Sequence, residues 1–267
     1  MSNSLNLHTY SRRYCIERHA FWSKKYEPSA KKFLSSNGGE YTEKDYDTFP
    51  RYVFLDELLL AIETLDADDL PNFDTLSRQL SGLPFSIADE HRSGFISNFE
   101  YNPIEKAAVD DERYRFSKVI EKLSVTDLQE EPSLPYRRVL QSTEFDRIWK
   151  SISDAWSVAT FNEWNIVGMN SNPSLISIDM FSVDRTRLFR NLKRFMSREK
   201  SDRIYQLSEY MPYNYQLDPS WADPWMYDGF WAPPNNDWVV CCASPGVVTL
   251  GGTVADAVGK HFPHIGQ

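Results

Sequence analysis

The side chains able to do chemistry are few, and they sit far apart. Cys15 and His19 are four residues apart. On a helix they share one face, the spacing that seeds a zinc site or a thiolate–imidazole pair. Neither is completed nearby. A structural zinc takes four ligands, and His261 and His264 lie at the far end of the chain with Pro263 between them. Cys241 and Cys242 are neighbours in the apolar run "WVVCCA". Consecutive side chains of a strand point to opposite faces, so at least one of them reads as a buried thiol. The expectation is no metal, no cofactor and no cysteine nucleophile.

"GGTVADAVGKH", residues 251–261, has the outline of a phosphate loop but not its content. Val254 stands five before Gly259, where that loop begins with Gly, and Lys260 is followed by His261 instead of Ser or Thr. Gly251 and Gly252 read more simply as the turn from a strand into a helix, whose free N–H groups offer an anion a weak site. "YDTFPRY" and "NNDW" each set an acid beside aromatic rings. Such a neighbourhood raises a carboxylate pKa when it excludes water, yet an acid beside a ring is not a catalytic pair. There is no G-x-S-x-G, G-x-G-x-x-G or H-E-x-x-H. These observations point away from an enzyme.

Two stretches are more specific. "DRTRLFRNLKRFMSREKSDR", residues 184–203, has eight bases and three acids, with Leu188, Phe189, Leu192, Phe195 and Met196 along one stripe. Residues 204–256, which follow, carry six acids and no base. The two segments are expected to neutralise each other within the fold. Nucleic-acid association through the basic helix is the alternative. The second stretch is "SWADPWMYDGFWAPPNNDW", residues 220–238, which holds four of the eight tryptophans. Its rings follow neither a helical nor a strand period, and Pro219, Pro224, Pro233, Pro234 and Gly229 break it up. It reads as a long ordered loop, with Trp238 belonging to the core face of the next strand. Tryptophan and tyrosine beside acids anchor protein interfaces. The predicted partner-binding residues here are therefore Trp221, Asp223, Trp225, Tyr227, Asp228 and Trp231. An enzyme or sensor that binds a small cationic or sugar-like ligand in the same loop, residues 219–238, is the alternative.

Charge says where a partner would be steered. Residues 1–52 carry nine bases and six acids, residues 53–135 seven and eighteen, and residues 136–267 thirteen and fourteen. The acidity belongs to the middle of the chain, where Asp66, Asp68 and Asp69 cluster in "DADDLPNFD". An acidic surface draws a basic protein and repels nucleic acid and anionic lipid. No stretch approaches eighteen apolar residues, so no membrane span is expected. The first thirty residues contain five bases and no continuous apolar run, unlike a signal peptide. Three cysteines, two of them adjacent, make a poor disulfide framework, which suits a reduced, cytoplasmic compartment.

The elements that must position these residues follow from periodicity. Residues 10–34 read as a helix that Pro28 interrupts. Leu55, Leu58, Leu59, Ile62 and Leu65 recur at three- and four-residue steps, one buried helical face. Shorter helices are expected over 73–82, closing at Gly82 and Pro84, and over 103–123. "QEEPSLP", residues 129–135, is polar and twice broken by proline, a boundary between a mainly helical region 1–130 and an α+β region 136–267. Beyond it, Phe145, Ile148, Trp149, Ile152 and Trp156 form a helical stripe. "WNIVGM" and "SLISIDMF" read as strands, 184–207 as helix, "WVVCCA" and "VVTLGG" as a hairpin turned at "SPG", and "TVADAVGKHF" as a helix capped by Thr253. Strands that do not alternate one-for-one with helices predict α+β, with a small, mostly antiparallel sheet flanked by helices. An acidic, aromatic-rich protein of this kind, lacking a catalytic signature, fits an inhibitor or immunity protein of bacterial toxin systems. Such a protein neutralises a basic toxin or enzyme by direct binding.

Overall fold

The computed structural model describes residues 2–35, 41–87, 102–157, 175–198, 202–208, 213–222, 229–243 and 246–263. The chain divides into two compact units, Met1–Leu134 and Pro135–Gln267.

The first unit is helical. It comprises α1 (Asn3–Ser35), α2 (Glu43–Ile62), α3 (Phe73–Ser86) and α4 (Pro103–Lys122), followed by a 3₁₀ turn at Val125–Leu128. Side chains set the helix starts. Asn72 accepts from the Thr75 backbone N–H at 3.0 Å, and Asn102 from that of Ile104 at 2.9 Å, with Pro103 in the first turn. The predicted stripe of α2 is the core face: Phe54, Leu55, Leu58, Leu59 and Ile62 are buried. Phe54, Leu58, Leu59 and Ile62 meet Leu7 and Cys15 of α1, Leu76 and Leu80 of α3, and Phe116 and Ile120 of α4. Pro28 does not interrupt α1, which runs through it to Ser35. The proline lies on an exposed side of the helix, so the lost backbone bond costs no core contact. Gly82 and Pro84 likewise do not close α3, which continues to Ser86.

The second unit is a sheet with helices on both faces. Its seven described strands are β1 (Arg137–Val139), β2 (Leu175–Asp179), β3 (Ile204–Leu207), β4 (Tyr215–Leu217), β5 (Gly229–Ala232), β6 (Trp238–Ala243) and β7 (Val247–Gly252). Their order is β1-β4-β3-β5-β6-β7-β2, and every pairing is antiparallel. The predicted hairpin is present, with Cys241 opposite Thr249 and Ala243 opposite Val247. Gly246 in its turn has φ +100°, a conformation that favours glycine. Helix α5 (Ser142–Trp156) sets Ile148, Ile152 and Trp156 on one face of the sheet, against Leu207, Phe230, Ala232, Val239 and Cys241. Helices α6 (Arg185–Met196) and α7 (Thr253–Ala257) cover the other. There Leu188, Leu192, Met196 and Val254 meet Trp231, Trp238, Val240, Cys242 and Leu250. The adjacent thiols Cys241 and Cys242 thus point to opposite faces, as strand geometry requires.

Three local expectations fail here for physical reasons. Residues 204–207 form strand β3, not the end of a helix, because pairing to β4 and β5 outweighs local preference. Residues 229–232 are strand β5, not loop: all four are buried, so the strand has no polar face to reveal its period. A Cβ on Gly229 would collide with the Leu207 carbonyl, so the neighbouring strand needs glycine there. Finally, α7 starts from Gly252, at φ +67°, and Thr253 is already helical with no side-chain cap formed. The strand expected at "WNIVGM" lies outside the described residues.

Candidate functional site

The aromatic stretch divides between core and surface. Asp218 accepts from the Ser220 backbone N–H at 2.8 Å and starts a 3₁₀ turn at Pro219–Trp221. Trp221 is half-buried, and the Arg137 guanidinium lies over its ring at 5.0 Å. Trp231 is fully buried in β5, with its indole N–H 3.3 Å from Gln206 Oε1. It packs on the α6 side of the sheet and presents no surface to a partner. Trp238 opens β6, also fully buried. Asp223, Trp225, Tyr227 and Asp228 lie outside the described residues.

In the helical unit the acidic cluster occupies the turn between α2 and α3. Asp68 and Asp69 are exposed, whereas Asp66 is half-buried. Asp66 accepts from the Asp68 backbone N–H at 3.0 Å, and its carbonyl accepts from that of Asp69 at 3.0 Å. It therefore shapes the turn that displays the other two.

The same unit exposes an aromatic pair that periodicity alone did not single out. Phe85 near the end of α3 is 48% exposed and Tyr114 on α4 is 58% exposed. Their rings meet edge to face at 5.3 Å. Arg113 links the segment after α3 to α4. Its Nη2 donates to the Ile87 carbonyl at 2.9 Å and its Nη1 to Asp110 Oδ1 at 3.1 Å, tying the end of α3 to α4. The missing signal was relational, since each ring looks ordinary in its own helix.

The buried charges of this unit are architectural. Glu112 is fully buried. Its carboxylate accepts from Arg18 Nε and Nη2 at 2.7 and 2.6 Å, from Trp22 Nε1 at 2.9 Å and from Arg51 Nη1 at 3.2 Å. Arg12 and Glu63 form a second buried pair at 3.0 Å. These carboxylates hold helices together. Cys15 is fully buried, and burial, followed by Glu63 and Glu112, pushes its thiol well above the ordinary value. It remains a protonated core residue. His19 sets its ring against Tyr52 at 5.5 Å. Among the described residues, no three metal-ligating side chains converge.

The basic helix behaves differently from the sequence expectation. Among the described residues, no carboxylate lies within ion-pairing distance of Arg187, Arg190, Arg194 or Arg198. Glu209, Asp223 and Asp228 of the following acidic segment lie outside the described residues. Asp218 and Asp256 serve turns and short helices, and Asp237 bonds Asn235. Arg187, Arg194 and Arg198 instead line a cleft of about 450 Å³ together with Asn191, Phe195, Ala257, Val258 and His261.

Compared with protein-family models, with curated proteins and with solved structures, the chain matches none of them.

Proposed function

We propose that this chain is a binding protein whose helical unit engages a basic protein, as an inhibitor or immunity protein that neutralises a toxin or enzyme. The observation that carries the reading is the exposed Phe85–Tyr114 pair within the acidic unit. Residues 1–134 hold 24 acids and 16 bases, a net of −8. Two large rings already packed edge to face are a pre-organised anchor: less side-chain entropy is left to lose on binding. Net negative charge around such an anchor steers a cationic partner and disfavours others. Asp68 and Asp69 add to this field without a required contact, and Asp66 supports them. In the second unit, Trp221 already meets Arg137 and Trp231 is core. These two residues do not support a small-ligand cage.

The experiment is affinity capture from the native host, followed by measured binding of the captured protein to wild type and to a Phe85→Ala/Tyr114→Ala variant. One basic protein is expected in stoichiometric amount. Hot-spot aromatics cost about 2 kcal/mol or more each when truncated, so the double variant is expected to bind roughly several hundredfold more weakly. Its melting temperature should barely move, because both rings are already exposed. Asp68→Asn with Asp69→Asn should slow association at low salt and reduce its salt dependence. Capture of no stoichiometric basic partner, or equal binding by the aromatic variant, would rule this reading out.

A further inference from the structure

The cleft beside α6 is built from an arrangement that local stability does not favour. Arg187, Asn191 and Arg194 recur along one side of the helix at steps of four and three, and Arg198 continues the row at a further four in the following turn. This row runs next to the buried stripe of Leu188, Leu192 and Met196. Like charges spaced four apart on a helix repel, as at Arg190–Arg194 and Arg194–Arg198. Arg187 stands in the first turn, where the helix dipole disfavours a cation. No carboxylate among the described residues forms an ion pair with these arginines, although Asp184 Oδ1 accepts from the Arg187 backbone N–H at 3.1 Å. The opposite wall is the end of α7 and the 3₁₀ turn Gly259–His261, which contribute Ala257, Val258 and His261.

Two of the lining groups are held by the core. The Arg187 guanidinium lies over the Phe262 ring at 5.5 Å, and Phe262 is buried. Phe195 meets the buried Trp238 edge to face at 5.6 Å. The cleft is therefore lined by three arginines, an amide and an imidazole together with the apolar Phe195, Ala257 and Val258. Its volume falls within the range of about 300–1,000 Å³ typical of small-ligand sites. Guanidinium groups present planar pairs of donors that match phosphoryl oxygens.

We infer that this cleft binds a phosphorylated small molecule, one whose phosphoryl groups take the arginines and whose apolar or aromatic part rests on Phe195, Ala257 and Val258. A nucleoside diphosphate has this chemistry. The site is independent of the helical unit, so its test neither supports nor weakens the protein-binding reading. A compact ligand is favoured over a nucleic-acid strand because the arginines border one cleft backed by an apolar wall.

The test is calorimetric titration of the full chain with inorganic pyrophosphate, ADP and adenosine. Pyrophosphate and ADP are expected to bind saturably with one-to-one stoichiometry, ADP at least tenfold more tightly, and adenosine not measurably. An Arg194→Ala/Arg198→Ala variant changes only exposed side chains, and its circular dichroism should match wild type. It is expected to weaken both ligands at least tenfold. Arg194→Lys, which keeps charge but loses the fork, should lie between, and Lys150→Ala, on the helix covering the other face of the sheet, should change nothing. Three results would overturn the inference: no saturable binding of pyrophosphate and ADP, unchanged binding by the double variant, or binding of single-stranded RNA with steep salt dependence while both small ligands fail. Equal affinity for pyrophosphate and ADP would overturn the role of the apolar wall.

Discussion

Acidification should weaken the helical unit through one histidine. His8 on α1 is 2% exposed, and its Nε2 lies 3.3 Å from the Ile62 carbonyl at the end of α2. Burial, and then the Arg12 guanidinium one turn along, lower its pKa from 6.5 to about 4, against smaller opposing pulls from the Ile62 carbonyl and Asp66. The folded unit thus keeps the imidazole neutral where the unfolded chain protonates it. For a base with a depressed folded pKa, this contribution is fully present above pH 6.5. It is lost progressively as pH falls from 6.5 towards 4. Each tenfold difference in proton affinity between the unfolded and folded chain is worth roughly 1.4 kcal/mol, so the loss from this group is about 2 kcal/mol at pH 5 and about 3 kcal/mol at pH 4. The assay is urea denaturation at pH 7.5 and 5.0, followed by helical circular dichroism, on wild type and His8→Gln. The glutamine amide can donate to the same carbonyl but does not titrate. Wild type should lose about 2 kcal/mol more than the variant between the two pH values. Parallel stability profiles would show that His8 is not held neutral, and the reasoning would fall.

Two further outcomes follow from packing. Glu112→Gln leaves Arg18 and Arg51 without their shared buried carboxylate, and should cost the helical unit about 3 kcal/mol, at the lower end for broken buried pairs because both arginines retain some exposure; an unchanged urea midpoint would refute that role. Trp231→Ala empties a fully buried site between β5 and α6 and should cost the sheet unit about 3–5 kcal/mol, seen as a lowered melting transition, while leaving capture of a partner by the helical unit unchanged.

The elements legible in the sequence are those with a periodic apolar pattern or with a turn that joins two apolar runs. The stripes of α2 and α5 repeat at helical steps, and the run around Ile176, Ile178 and Met180 alternates through β2. The hairpin of β6 and β7 announces itself by two apolar runs and a Pro-Gly turn. The elements missed are short, or buried throughout with no hairpin turn to mark them. β1 and β4 are three residues each and take their identity from pairing with one another. In β5, every residue is buried, so Phe230 and Trp231 look like part of an aperiodic loop.

The site residues divide along the same line. The sequence by itself determined the α+β class, the acidic middle of the chain and the basic stripe of 184–203, because composition and period are properties of a single segment. Only the tertiary structure decided which tryptophans are core, which rings form an exposed pair, and which charges find partners. Glu112 meets Arg18 across 94 residues, while the arginines of α6 meet no carboxylate among the described residues, although acids follow closely in sequence. Coulomb energy and hydrogen bonding depend on distance in space, and a chain that folds back on itself brings distant charges together while leaving near neighbours apart.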